Sequence, residues 1–254
     1  MRRLAGAIAA LLAAFMATPS PARAVDYGGW SARVTLDGWH DDNVTRGPVL
    51  ATDVLPYGNQ DLGLHLGTTF GNVWLLRPDL DAWLICDLHG TAGLYYPSLD
   101  DVWGGLYGNG IWHLPGGRDA TVLVGSSAFW NNGYFHVGEL SFGQPLWPGA
   151  TARAELGGGY YATNVADGSF WTPSVGASFA QSFATGTQLL ARYAFQPRFY
   201  VTPRYAPRHE LTLRVAQSLG AGFELHVDYI DTLDLSQSVG YNEGYLGSGL
   251  AYTY

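Results

Sequence analysis

From about residue 30 to its end, the chain repeats one local pattern: short segments in which apolar and polar side chains alternate with period two. Across 210–219, Leu211, Leu213, Val215 and Leu219 point one way, and Glu210, Thr212, Arg214, Ala216 and Ser218 point the other. Phe223, Leu225, Val227 and Tyr229 oppose Glu224, His226 and Asp228 in the same manner. Upstream, Leu189, Ala191, Tyr193 and Phe195 oppose Gln188, Arg192, Ala194 and Gln196. Period two belongs to strands, and Gly220-Ala221-Gly222 and Thr185-Gly186-Thr187 are tight enough to be hairpin turns. No stretch keeps a helical period, so the chain reads as all-β.

About 12 such segments follow one another, near 30–40, 61–71, 82–95, 102–113, 120–130, 135–143, 150–161, 173–183, 187–199, 208–219, 222–233 and 244–254. Each approaches the 9–11 residues or so that a tilted strand needs to cross a bilayer. Most prolines fall between segments, where a missing N–H costs no ladder bond, and Pro173 and Pro197 fall at segment ends.

Charge decides between a soluble sheet and a membrane one. Only 13% of residues are charged, against the roughly 25–35% expected of a solvated surface. Aromatics gather near segment ends, at Trp30 and Trp39, Trp103 and Trp112, Trp130 and Tyr134, Tyr160 and Tyr161, Phe170 and Trp171, and Phe199 and Tyr200. That distribution predicts girdles at two membrane interfaces. A closed barrel leaves no unpaired strand edge in a medium without water. The expected fold is therefore a closed antiparallel transmembrane β-barrel of about 12 strands, occupying residues 25–254. With a net charge of −8 the chain is not expected to bind nucleic acid, and its single cysteine excludes a disulfide framework.

Residues 1–24 read as a signal peptide: Met1-Arg2-Arg3, an uncharged apolar run from Leu4 to Ala17, and Ala22-Arg23-Ala24 in the small-x-small form of a cleavage site. At the other end, Leu246, Ser248, Leu250, Tyr252 and Tyr254 share a face, and the chain closes on an aromatic residue. This segment resembles the C-terminal strand of bacterial outer-membrane β-barrel proteins. The resemblance implies a Gram-negative outer membrane, with lipid and lipopolysaccharide as surroundings and the barrel-assembly machinery as a partner through the last strand. It also implies a periplasmic N-terminus. Connections near 41–60, 96–101, 131–134, 162–172, 200–207 and 234–243 are then outer loops, and those near 72–81, 114–119, 144–149, 184–186 and 220–221 are inner turns.

Function has to lie on the faces turned from lipid. Arg192 and Arg198, then Arg208 and Arg214 with Glu210, then Glu224, His226 and Asp228 fall on three consecutive expected strands. Strands lie about 4.8 Å apart, so these groups should meet. They form either an internal salt-bridge network filling a narrow barrel or an arginine row selecting a small anionic solute or polysaccharide. A second group, Arg33, Asp37, His65, Asp87 and His89, reads as lumen hydrogen bonding ahead of two alternatives, a base with its orienting carboxylate or a two-histidine metal site; no metal, cofactor or catalytic residue is assigned. The basic, aromatic stretch 198–209 is placed at the outer rim, where arginines beside tyrosines can grip phosphates. The expected role is a non-enzymatic envelope barrel, either a small channel or an export or anchoring component. A lipid-modifying barrel enzyme would bring His89 or His226 to a serine and a carboxylate. A soluble periplasmic carbohydrate-binding protein would instead place Leu211, Leu213, Leu225 and Val227 in a closed core.

Overall fold

A computed structural model describes residues 26–41, 61–94, 101–130, 133–163, 168–201, 205–235 and 241–254. The expected signal peptide lies outside these residues. So do 42–60, the tip Asn131-Asn132 and the centre of the 198–209 stretch.

The strands are β1 (Asp26–Asp41), β2 (Asp61–Arg77), β3 (Leu80–Gly93), β4 (Asp101–Leu114), β5 (Arg118–Phe129), β6 (Gly133–Trp147) and β7 (Ala150–Thr163). They continue as β8 (Phe170–Ser182), β9 (Thr187–Phe195), β10 (Arg198–Tyr200), β11 (Tyr205–Ala206), β12 (Arg208–Gly220), β13 (Phe223–Asp234) and β14 (Tyr241–Thr253). Twelve long strands pair antiparallel in the ring β1-β2-β3-β4-β5-β6-β7-β8-β9-β12-β13-β14, which closes on β1. Leu36 shows the closure, lying opposite Leu66 on one side and Leu250 on the other. Both ends of the seam meet again where Tyr254 donates its backbone N–H to Ala32 across 2.9 Å.

The strand expected over 187–199 is interrupted. β9 pairs with β8 up to Phe195 opposite Val175, and β10 resumes in the same register with Phe199 opposite Trp171. That register sets Pro197 against Pro173, and the β9–β12 register, continued by β10–β11, sets it against Pro207. Three prolines in one transverse row have no N–H to give, so the ladder breaks there and β10 and β11 persist as short extensions.

Short turns join strands at the end that also carries Asp26 and Tyr254. The turn predicted over 72–81 shrinks to two residues, because β2 runs to Arg77 and β3 starts at Leu80. The β12–β13 turn takes positive φ at Gly220 (85°), Ala221 (50°) and Gly222 (84°), the hand that matches the twist of paired strands. At Gly222 a side chain would also strike the carbonyl of Thr253, so glycine is required there.

Burial is inverted relative to a soluble protein. Among the described residues the buried apolar side chains are alanines, at 150, 194, 206, 216 and 251, whereas Asp61, Glu155, His226 and Asp234 are buried. Leu213 is 42% exposed and Leu225 50%, on the outside of the ring, and Leu211 and Val227 are likewise exposed. A soluble sandwich core is therefore excluded for these four residues. The outward band of Leu, Val, Phe, Tyr and Trp requires an apolar solvent.

Alternation also divides the expected girdle. Tyr160 and Trp171 face outward with their rings 4.5 Å apart, whereas Tyr161 and Phe170 face inward at 5.3 Å. Adjacent residues on a strand cannot share a face, so one aromatic of each pair serves the interface and the other lines the lumen.

Candidate functional site in the barrel lumen

Inward positions on β1, β3, β5, β6, β7, β9, β10, β12 and β13 carry charges. Arg192 Nε lies 2.7 Å from Glu155, and its other nitrogens reach Glu210 at 3.6 Å and Glu139 at 3.9 Å. Arg214 meets Glu224 at 3.1 Å and Asp228 at 3.6 Å, and Arg33 approaches the same Glu224 to 2.7 Å. Arg208 holds Glu210 at 2.9 Å, Arg198 meets Asp234 at 3.9 Å, and Arg153 meets Asp119 at 2.7 Å.

The arginines on adjacent strands are thus brought together, each turned onto carboxylates. A charge taken from water has to be paired in this way. Among the described residues, the six arginines Arg33, Arg153, Arg192, Arg198, Arg208 and Arg214 pair with seven carboxylates, Asp119, Glu139, Glu155, Glu210, Glu224, Asp228 and Asp234, while Asp37 and Asp87 meet histidines. Arg198 also stacks over the Phe170 ring at 4.9 Å. Arg198 and Arg208, which belong both to the expected lumen set and to the basic stretch 198–209, point into the barrel.

Neither Glu139, Asp119 nor Arg153 stood out in the sequence. Their signal was available in the same alternation, as charges at inward positions of otherwise small and apolar strands.

The second cluster crosses β1, β2, β3 and β13. Asp37 Oδ2 accepts from His65 Nδ1 at 2.9 Å, His65 Nε2 lies 3.0 Å from His89 Nδ1, and His89 Nε2 lies 3.4 Å from Asp87. His226, only 3% exposed, brings Nε2 to 2.9 Å from the other oxygen of Asp37. Arg33 belongs to the Glu224 network instead. Trp103 stacks on both rings of the histidine pair, 5.7 Å from His65 and 5.2 Å from His89. From Trp103 a row of inward rings continues through Phe129, Tyr161, Phe170 and Tyr200. Among the described residues, no three or more His, Cys, Asp and Glu side chains converge as a metal cage.

His89 and His226 are therefore engaged by aspartates and histidine rather than by a serine. A serine–histidine contact does occur on the lipid-facing wall, where Ser126 Oγ lies 2.6 Å from His136 Nδ1. Among the described residues no carboxylate bonds that imidazole to orient it for proton transfer.

No protein-family model matches the chain, and no curated protein sequence does. Solved structures with the same fold do. An outer-membrane channel from Pseudomonas putida F1 superposes with a TM-score of 0.62 at 12% identity, over 93% of this chain and 99% of that one. The KdgM porin gives 0.55 at 5% identity, over 87% of this chain and 99% of the porin. The same porin in complex with disordered oligogalacturonate gives 0.55 at 4% identity, again over 87% and 99%. At such identities the likeness is one of fold: this chain has the architecture of the outer-membrane β-barrels.

Proposed function

We propose that the chain is a narrow, hydrated outer-membrane channel for small hydrophilic solutes, without enzymatic activity, and that its lumen favours cations over anions. One observation carries this reading. Although enclosed by the barrel wall, Arg192, Arg153, Arg33 and Arg214 stay 25%, 28%, 31% and 32% exposed, so water reaches this part of the network. A plugged barrel would have withdrawn these groups from solvent. The fold shared with the Pseudomonas putida channel and the KdgM porin supports the same reading.

Selectivity follows from the balance of charge. Rings of side chains set which ions a pore admits, and here carboxylates outnumber arginines. The arginine row offers no uncompensated fork to an anion, so the oligogalacturonate bound by one fold relative is not carried over to this chain.

Liposome swelling tests permeation. Vesicles holding the folded barrel should swell in isotonic solutions of small polyols several-fold faster than protein-free vesicles. Swelling at the protein-free rate, with the barrel shown to be folded by heat-modifiable migration, would overturn the reading.

A further inference from the structure

The inward rings gather at one depth. Phe129, Phe170 and Tyr200 end β5, β8 and β10 on the loop side, and Trp103 and Tyr161 lie two residues inside the loop ends of β4 and β7. Neighbouring ring centres along this arc stand 5.3–6.2 Å apart. Past the histidine pair, Trp39 and Tyr245 continue the arc on β1 and β14, stacked at 6.3 Å and inward like Asp37. The rings thus form a collar just inside the mouth of the barrel.

Glycine lets the collar lie against the wall. A Cβ at Gly63 would strike the indole of Trp39, and one at Gly159 would stand 2.6 Å from the ring of Phe135, which lies inward opposite Tyr161. A ring that covers a glycine turns a face, rather than an edge, to the lumen. Trp103, Phe129, Tyr161, Phe170 and Tyr200 are all partly exposed.

Among the described residues, β12 and β13 complete the collar with charge instead of rings. Arg208 and Asp234, opposite each other, are the loop-end residues of these strands, and Glu210 follows two residues inside. Arg198 joins the two sectors, 3.9 Å from Asp234 and 4.9 Å over the Phe170 ring. Arg198, Arg208 and Glu210 are also partly exposed.

Two surfaces therefore meet at one depth, aromatic faces along most of the circumference and hydrogen-bonding charges along the rest. Ions and short polyols engage only the charges. A sugar ring engages both: its C–H bonds bring partial positive charge onto the negative ring faces, and its hydroxyls both donate and accept. An acidic sugar would add negative charge beside Glu210 and Asp234.

We propose that the collar is a binding site for neutral oligosaccharides, stacked along the rings from Trp103 to Tyr200 and hydrogen-bonded at the Tyr200 end by Arg198, Arg208 and Glu210. This names the solute class of the channel reading and rests on it for transport. Binding itself is measured on the folded barrel, so loss of the site and loss of the channel are separate results.

The test is calorimetric titration with maltotriose and with cellotriose, on protein folded in a detergent without a sugar headgroup. At least one of the two should bind, with millimolar affinity or better, and trigalacturonate should bind at least tenfold more weakly. Phe170→Leu and Tyr161→Leu keep apolar bulk but remove the π face, and each should weaken binding severalfold. Trp83, an inward ring toward the turn end of β3, lies outside the collar, and Trp83→Phe should leave binding unchanged. Folding of every variant is read from its heat-modifiable band. A folded wild-type barrel that binds neither neutral trisaccharide would overturn the proposal. So would undiminished binding by either leucine variant, or trigalacturonate bound as tightly as the neutral sugars. Each of these results stands whether or not the liposomes swell.

Discussion

Arg192 on β9 reaches Glu155 on β7 at 2.7 Å by passing over the intervening strand, β8. It can do so because β8 carries Gly176 at the crossing, where an added Cβ would lie 3.0 Å from Glu155 Oε2. Ser178, two residues along, donates to the other Glu155 oxygen at 3.0 Å. Glu155 keeps 8% exposure, so Arg192 and Ser178 supply the hydrogen bonds that water would otherwise give its carboxylate.

Removal of Arg192 should therefore destabilise the barrel. Arg192→Ala leaves Glu155, Glu139 and Glu210 facing one another without their shared cation. A cost of about 3 kcal/mol is expected for an uncompensated charge at a mostly buried site. Urea unfolding of the barrel in lipid vesicles checks it, and Glu155→Gln combined with Arg192→Ala should recover part of the loss. A variant as stable as wild type would mean that the network contributes little.

The outward band makes a second prediction. Leu213 and Leu225 lie on the lipid-facing side of β12 and β13. Leu213→Arg should cost about 2–4 kcal/mol near the bilayer midplane. Thr212→Arg, which turns the other way into the lumen, should cost less than half as much. Equal costs in vesicle-refolding experiments would contradict the assignment of the two faces.

Closure depends on the last residue. Tyr254 stacks on Trp30 with ring centres 5.1 Å apart, and Trp30 stacks on Phe70 at 5.5 Å, so one aromatic ladder ties β14, β1 and β2 at the turn end. Tyr254→Ala should lower the fraction of heat-modifiable, outer-membrane-extracted protein several-fold. The assembly machinery is the expected reader of this strand, and an unchanged yield would remove Tyr254 from that role.

The pair Ser126 and His136 gives a fourth test, of the non-enzymatic reading. With no carboxylate on the imidazole among the described residues, the folded protein should release no fatty acid from phospholipid vesicles above the protein-free rate. Release that disappears in Ser126→Ala would make the chain a lipid-modifying enzyme.

The strands were legible because period two is visible in any segment with one face in lipid. Leu211, Leu213 and Val215 set the phase of β12 without knowledge of a partner. The sites were less legible, since they depend on register between strands. His89 and Asp87 share a face by spacing alone. That His65 would meet His89 depends on the pairing of β2 with β3, where Gly67 lies opposite His89. Tyr160 and Tyr161 show the reverse case. Alternation already forbids both from facing lipid, so the inward aromatic row could have been read from the chain. The row formed by Pro173, Pro197 and Pro207 could not, because it needs three strands in register at once.

The most direct measurement of the central claim is the reversal potential of single channels in planar bilayers under a tenfold potassium chloride gradient. An open channel is predicted, with a reversal potential of the sign that marks cation preference. Glu139→Gln together with Asp119→Asn should move that potential toward zero, since both carboxylates belong to the lumen's acidic excess. No conductance from folded, heat-modifiable protein, or a potential of the opposite sign, would contradict the account.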